Sequence, residues 1–306
     1  MTETEVSIIT AAYNAEKYIA ETIQSVQKQT FLNWEHIIAD NGSTDRTVEI
    51  IRQFLTDERI KLVIESKKGR SRARNTAFAH CKGKYIANID SDDLWRSDKL
   101  EKQVALLRST PKVGLVYTGV EIIDESGTSV KTIKPVDITA RPLEYLLTVK
   151  NPIVHSSVII RREAFSDGKY QDEKIEDADE YIVYLKTFLM YNEIGFIGEP
   201  LTKYRVHRDS GLGRVSIQTF CREYKKGLDI FFQLPSLPTE IQSMKSAAYG
   251  TMFYLSASVG ISFKKELLTC AIFLVKSMFL RPRKIHFCLY QFARLILSPL
   301  RSTYNA

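Results

Sequence analysis

The chain has no glycine before Gly42 and no G-x-x-x-x-G-K-[ST] segment in its 306 residues. Phosphate loops and dinucleotide-binding turns need glycine where the backbone first approaches a phosphate, so both readings fail there. Cysteine is scarce: Cys81, Cys221, Cys270 and Cys288 lie far apart, with no histidine at metal-ligand spacing. They read as reduced thiols of a cytosolic protein, which excludes a disulfide scaffold. Met1-Thr-Glu-Thr-Glu offers neither the charged nor the apolar part of an export signal, so a cytoplasmic location is expected. No apolar run is long enough to span a bilayer: Leu267 to Leu280 has 14 residues and contains Lys276.

Acidic residues are nearly missing from the tail. From Gly260 to Ala306 there are eight basic residues (Lys264, Lys265, Lys276, Arg281, Arg283, Lys284, Arg294 and Arg301) and one acid, Glu266. That segment therefore carries +7, all of the formal net charge, and everything before it is neutral as a whole. Its cations are interleaved with large apolar residues such as Phe263, Leu268, Ile272, Phe279 and Leu289. Apolar area plus cations suits a helix lying in the plane of a membrane surface. A basic tail also suits nucleic acid, but a phosphate-tracking surface uses fewer large aliphatic residues, so no nucleic-acid partner is expected. The alternative is a helical pair packed on the main domain with its basic face solvated.

An apolar content of 44% with 26% charged residues is ordinary for a globular chain long enough for one large domain with an appendage. Its most informative stretch is Ile86-Ala-Asn-Ile-Asp90-Ser91-Asp92-Asp93, where a strand ends in three carboxylates within four positions. Carboxylates so crowded repel one another unless a positive charge sits among them. A divalent cation is the simplest partner, because Mg²⁺ takes one or two carboxylates and fills its other positions with water and substrate phosphate. The competing reading is an acidic turn before a helix capped by Ser97 or Asp98.

The first half alternates β-rich runs with helical patterns. Val6 to Thr10, Glu35 to Ala39, Ile60 to Ile64 and Tyr85 to Ile89 read as strands. Helices are expected from Ala15 to Gln29, through Val48, Ile51 and Leu55, and through Ala73, Ala77 and Phe78. Such alternation predicts an α/β fold with a mostly parallel sheet, whose ligands bind at the carboxyl ends of the strands. Those ends carry Ala11-Ala12-Tyr13-Asn14, Asp40-Asn41-Gly42-Ser43-Thr44-Asp45 and the Asp90 loop. Asp40 can accept from a base N–H or a ribose hydroxyl, and Tyr13 can stack on a base; Ser43 or Thr44 is expected to open the next helix. Lys67-Lys-Gly-Arg70-Ser-Arg-Ala-Arg74 puts five cations near a helix start, suited to diphosphate or to a solvated face.

Val6-Ser-Ile-Ile-Thr-Ala-Ala-Tyr-Asn, Asp40-Asn-Gly-Ser-Thr-Asp, Ala73-Arg-Asn-Thr and Asp90-Ser-Asp-Asp, in this order, resemble the family 2 inverting glycosyltransferases of the GT-A fold. The resemblance runs from Val6 to about Asp209. It implies a nucleotide-sugar donor, usually a UDP-sugar, bound with Mg²⁺ or Mn²⁺. Tyr13 and Asp40 would hold the base, Asp90 the ribose side and Asp92 the metal. Asn41 stands where the family commonly has a second aspartate, and Ala11 where it has proline, which leaves donor identity open. The donor site is expected to comprise Ala11, Tyr13, Asn14, Asp40, Arg70, Arg74, Asp90 and Ser91.

Lys174-Ile-Glu176-Asp177-Ala-Asp179-Glu180 resembles the family's Glu-Asp signature, whose aspartate is the general base, and this maps to Asp177. Inverting transfer needs one carboxylate to take the acceptor hydroxyl's proton as that oxygen attacks the anomeric carbon. Acids at a helix start are also favourable against the macrodipole without any catalysis. Tyr204-Arg-Val-His207 resembles a segment that closes over the diphosphate, which makes His207 a metal or phosphate contact. Asp93, Trp95, His155 and Glu176 are the expected acceptor contacts.

The expected organisation is a GT-A domain over residues 1–210 and a helical, basic region over 211–306. The expected function is an inverting, metal-dependent hexosyl transfer from a nucleotide-sugar to a lipid-linked glycan acceptor, in polysaccharide synthesis at the inner face of the cell membrane. Two other classes stay open. A nucleotidyltransferase making an activated sugar also places acids beside a metal, although the glycine-rich N-terminal loop is missing. A non-catalytic membrane scaffold with a nucleotide-sugar pocket would keep the donor motifs only.

Overall fold

The structure, a computed structural model, describes residues 4–133, 135–165, 168–175, 179–207, 216–235, 237–262, 267–284, 286 and 288–291. Glu176 and Asp177 lie outside the described residues, as does the tail beyond 291.

The chain opens with β1 (Val6–Ala12), α1 (Ile19–Gln27), β2 (Trp34–Asp40), α2 (Thr47–Gln53), β3 (Ile60–Ile64), α3 (Arg70–Ala79) and β4 (Tyr85–Asn88). There follow β5 (Leu94–Trp95), α4 (Lys99–Ser109), β6 (Val113–Ile123), β7 (Ser129–Ile133), α5 (Pro142–Thr148), β8 (Ile159–Arg161), α6 (Asp179–Tyr191) and β9 (Glu193–Arg205). After these come the helices α7 (Ile217–Phe232), α8 (Thr239–Gln242), α9 (Lys245–Ser262) and α10 (Leu267–Leu280). Contacts divide the chain into two compact units: 1–142, 152–176 and 183–207 form the first, and 143–151, 177–182 and 208–306 the second.

In the first unit one sheet runs β3-β2-β1-β4-β8-β6-β9-β5, with β7 paired to β6. The parallel arrangement expected from the alternating pattern holds from β3 to β4 and again between β6 and β9. The pairs β4–β8, β6–β8, β6–β7 and β5–β9 are antiparallel. β2 is buried along its whole length, as a strand covered on both faces must be. α1 buries Ile19, Thr22, Ile23 and Val26 at three- and four-residue spacing. Ile8, Ile19, Ile23, Ile38, Val104 and Leu107 belong to one core cluster; burying each such side chain contributes roughly 1.5–3 kcal/mol.

Two helix starts differ from the sequence expectation. α1 begins at Ile19, and ahead of it the N–H of Ala15 donates to Thr47 Oγ1 at 2.7 Å and that of Glu16 to Asp45 Oδ2 at 3.1 Å. Asp45, rather than Ser43 or Thr44, supplies the acceptor at the start of α2, its Oδ1 receiving the Thr47 N–H at 3.0 Å. Asp98 holds the cap position of α4 without a side-chain cap bond.

In the second unit Ser216 caps α7 by accepting the Thr219 N–H at 3.0 Å. Tyr181 packs edge-to-face on Tyr224 at 4.8 Å, and its hydroxyl donates to Leu146 O at 2.9 Å. Ile217, Ala257, Cys270, Leu274 and Cys288 form the local core. No helix among the described residues is long and apolar enough to cross a membrane.

Candidate active site

Parallel register brings the polar strand ends to one edge of the first unit. Ala12 of β1 lies beside Asp40 of β2, and Val6 to Ile9 run beside Tyr85 to Asn88 of β4. The loops after these strands therefore leave the sheet in the same direction.

Asp40 closes β2 and is buried; its Oδ2 accepts from the N–H groups of Gly42 and Ser43, both at 3.1 Å. Gly42 sits at φ +77°, a left-handed conformation that a Cβ would strain. Asp40 Oδ1 is buried with no hydrogen-bond partner, which leaves one acceptor of the turn unused. Tyr13 is exposed, with Lys68 Nζ 5.4 Å from its ring centroid. Asn14 adopts φ +48°, and its Oδ1 accepts the Thr44 N–H at 2.9 Å. Ala11 is half-buried within β1.

Asn41 fixes the basic loop. Its Nδ2 donates to Lys67 O and its Oδ1 accepts the Gly69 N–H, each at 2.9 Å. An ionised aspartate has no donor for Lys67 O, so the amide at this position has a use of its own. Gly69, at φ +145°, then starts α3. Arg70 is exposed, whereas Arg74 is buried with Nη2 3.0 Å from Asp90 Oδ1.

The acidic loop receives its partners from distant elements. Asp90 N–H donates to Ser156 Oγ at 3.0 Å, and that hydroxyl donates onward to Asp93 Oδ2. Asp93 Oδ1 accepts the Arg205 N–H at 2.9 Å. Asp92 Oδ2 lies 2.9 Å from His207 Nε2, both side chains being partly exposed. Burial tends to raise the Asp90 carboxyl, but Arg74, His155 and Arg70 together outweigh it and hold the group below its ordinary value. Burial and the charge of Asp90 raise Asp92 against the pull of His207, and burial with both acidic neighbours raises Asp93 well above the usual range. Added positive charge beside Asp92 would relieve this repulsion.

Ser91 is half-buried within the same loop. Three of the expected acceptor contacts are located, and two of them turn inward. Asp93 is 0% and Trp95 5% exposed. Asp93 spends both oxygens on Ser156 and Arg205, and Trp95 donates Nε1–H to Ser156 O at 2.7 Å, so both brace the loop from within and do not face an acceptor. His155 is largely buried, with Nδ1 3.4 Å from Tyr184 Oη.

Sequence reasoning missed Arg205 and Gln171. Arg205 is fully buried: Nε donates to Asp92 O at 2.9 Å, Nη1 to Glu125 O at 3.0 Å and Asp124 O at 3.3 Å, and Nη2 to Glu21 Oε2 at 2.6 Å. Its guanidinium lies 4.6 Å from the Tyr18 ring centroid, and that ring is 5.0 Å from His207. Arg205 thus ties the end of β9 to the acidic loop two residues before His207. Gln171 is buried, its backbone held in both directions by Asn75 and its Oε1 3.5 Å from Arg74 Nη1. Among the described residues no group of three or more His, Cys, Asp or Glu side chains is set to hold a metal by itself.

With this geometry in place, comparison with known proteins identifies the class. Residues 7–168 match the model of the family described as glycosyl transferase family 2. The chain belongs to that family and has its GT-A fold; it is a glycosyltransferase. It is 40% identical over 229 residues to the Escherichia coli UDP-Glc:alpha-D-GlcNAc-diphosphoundecaprenol beta-1,3-glucosyltransferase WfgD, covering 74% of this chain and 84% of that protein. Its fold is similar to that of Staphylococcus aureus TarS 1–349 in complex with UDP-GlcNAc, with a TM-score of 0.71 at 18% identity, over 95% of this chain and 88% of that one. It is also similar to the mannosyltransferase PcManGT from Pyrobaculum calidifontis in complex with GDP-Man and Mn²⁺, with a TM-score of 0.61 at 20% identity, over 97% of this chain and 87% of that one.

Proposed function

We propose that the chain transfers a sugar from a UDP-sugar, with inversion, to a lipid-carried glycan acceptor during synthesis of a cell-surface polysaccharide. The work is done at the cytoplasmic face of the membrane, with residues 260–306 as the peripheral contact. The observation that carries the reading is the Asp92–His207 pair at 2.9 Å, partly exposed at the strand edge beside Asp90. An oxygen and an imidazole nitrogen brought together next to a repelled carboxylate form a donor set that Mg²⁺ or Mn²⁺ accepts. With only two protein ligands, coordination is left for water and diphosphate oxygens. When bound, the cation supplies positive charge to the departing nucleoside diphosphate.

The chain's own residues divide the remaining tasks. Asp40 and Tyr13 receive the base, with Ala11, Asn14 and Ser91 completing the donor contacts. Arg70, exposed at the start of α3, meets diphosphate charge, and Arg74 keeps Asp90 ionised and oriented toward the ribose side. Asp177 takes the acceptor hydroxyl's proton as the oxygen attacks, and Glu176 and His155 orient the acceptor. WfgD, whose name specifies a UDP-Glc donor and a diphosphoundecaprenol acceptor, supports the donor class and the lipid-linked acceptor. PcManGT, in complex with GDP-Man and Mn²⁺, supports the cation.

The test is calorimetric binding of UDP-, GDP- and TDP-sugars in Mn²⁺ or EDTA to wild type, Asp92→Ala and Asp177→Asn. One UDP-sugar is expected to bind in Mn²⁺ only, with binding lost in Asp92→Ala and kept in Asp177→Asn. With acceptor present, Asp177→Asn should lower turnover by about 10²–10⁴-fold. Equal binding in EDTA, or full turnover by Asp177→Asn, would refute the assignment.

A further inference from the structure

α10 presents two unlike faces. Cys270, Leu274 and Ser277 are fully buried, and the Ser277 hydroxyl donates to Gly250 O of α9 at 2.8 Å, which fixes the inward side. Leu268, Ile272, Val275 and Phe279 are 78%, 47%, 43% and 82% exposed. Spaced four, three and four apart, they fall within an arc of roughly 60° on the opposite side, along about 16 Å of helix. No acid occurs in α10, and exposed Lys276 follows Val275 at the edge of this stripe. The sequence adds Lys264 and Lys265 before the helix and Arg283 and Lys284 after it. Arg281 is excluded from an outward role, because it is buried and donates to Thr148 O at 3.0 Å.

We infer that the Leu268–Ile272–Val275–Phe279 face of α10 is the surface by which the chain seats on an anionic phospholipid bilayer. This rests on, and sharpens, the membrane contact of the proposed function. Charge complementarity chooses the occupant: a narrow apolar stripe on a helix without acids, edged by Lys276 and adjoined in sequence by four cations against the single acid Glu266, matches acyl chains beneath anionic head groups. A second copy of the chain would bring the same cations against themselves. The four side chains also expose on the order of 400 Å², about half of what one partner buries in a standard protein interface. Phe279 and Leu268, the most exposed, mark the two ends of the inserted edge.

Co-sedimentation of the full chain with vesicles of phosphatidylcholine, alone or with about 30% phosphatidylglycerol, tests this. Wild type is expected to bind the anionic vesicles at least about tenfold more tightly than the neutral ones. The Leu268→Glu/Phe279→Glu variant should lose about tenfold or more in that affinity, and Lys276→Glu should lose less. Both positions are solvent-exposed, so UDP-sugar binding should stay at the wild-type level and serves as the check on folding. Unaltered vesicle binding by the double variant would overturn the assignment of this face. So would a wild-type dimer in sedimentation equilibrium that the double variant dissolves without any vesicle binding, since the stripe would then join two copies. If wild type binds anionic vesicles through this face but binds no nucleotide-sugar, the donor reading fails and the seating surface stands.

Discussion

Replacing Arg205 by Met should cost more than any exposed substitution in the first unit, because the side chain serves four acceptors while wholly out of solvent. Met fills the volume but leaves the carbonyls of Asp92, Asp124 and Glu125 without the guanidinium. These carbonyls are only part-buried, so each one left unmet costs toward the lower end of about 1–3 kcal/mol. Glu21 is about half exposed, at 53%, so water replaces its partner and that ion pair adds little. The expected loss is about 3–5 kcal/mol, in line with breaking a buried charged network. For a unit of this size that lowers the melting temperature by roughly 6–20 °C. Arg205→Lys keeps the charge but not the planar fork, so it should recover part of the loss. Glu21→Gln should cost about 1 kcal/mol or less. Thermal and urea unfolding of the three variants at neutral pH reads all of these values. Melting of Arg205→Met within about 2 °C of wild type, or an equal loss from Glu21→Gln, would refute the carbonyl-clamp reasoning.

Three other perturbations follow from buried groups. The Thr10 hydroxyl donates to Ile89 O, so His36 Nε2 must carry the proton it shares with Thr10 Oγ1, and Nδ1 is buried without a partner. Burial lowers the His36 pKa from 6.5 to about 3. The unfolded chain therefore binds the extra proton first, and stability falls as pH drops from about 6.5 toward 3, by about 2 kcal/mol at pH 5. Paired urea titrations of wild type and His36→Gln should show this slope in wild type and a flatter one in the variant; parallel slopes would contradict it. Lys99 is fully buried, donates to Gln103 Oε1 at 2.7 Å and lies 3.9 Å from the Trp95 ring centroid. Burial holds its pKa well below the ordinary amine value, so wild-type stability should rise with pH from that lowered value up to about 10.4, relative to Lys99→Met. Unfolding compared at pH about 7 and 9.5 measures this, and a constant difference would refute it. Gly83 has no room for a side chain: a Cβ would sit 2.4 Å from Ser7 N and 2.7 Å from Val6 C. Gly83→Ala must push β1 away and should cost about 1–3 kcal/mol or more, read from the melting temperature.

Much of the fold was legible because its signals are local. β2 reads as a strand from its sequence and is buried throughout, and polar runs mark where strands end. The helix starts were placed less well, since a cap acceptor on a neighbouring loop leaves no trace next to the helix it serves. Asp45 and Thr47 take the first donors of the segment before α1, some thirty positions away in sequence. Asp93 and Trp95 are among the expected acceptor contacts, but a position in or next to the acidic loop does not give a side chain's direction. The chain reverses after Asp92 and folds both side chains over Ser156, which comes from a turn more than sixty residues further on. Arg205 was hidden for the same reason: an arginine at a strand end reads as solvated until three backbone carbonyls are found around it.

The acidic loop makes the general point. By residue type, Asp90, Asp92 and Asp93 are equivalent, and crowding alone says only that one of them needs a cation. Their partners make them different. Asp90 is met by Arg74, whose charge outweighs the burial that would otherwise neutralise it. Asp93 is sealed in by the Ser156 hydroxyl and the Arg205 N–H, and its raised pKa follows from being enclosed beside two other acids. Asp92 is the acid that faces an imidazole, with part of its surface open. The proposed cation at Asp92 rests on this difference in partners, each delivered by a different element: α3 for Asp90, the turn before β8 for Asp93, and the segment after β9 for Asp92. Moving His207 away while leaving the three acids intact should remove the preference for Asp92, and His207→Ala is expected to weaken Mn²⁺-dependent donor binding without unfolding the loop, since Arg205 still holds it.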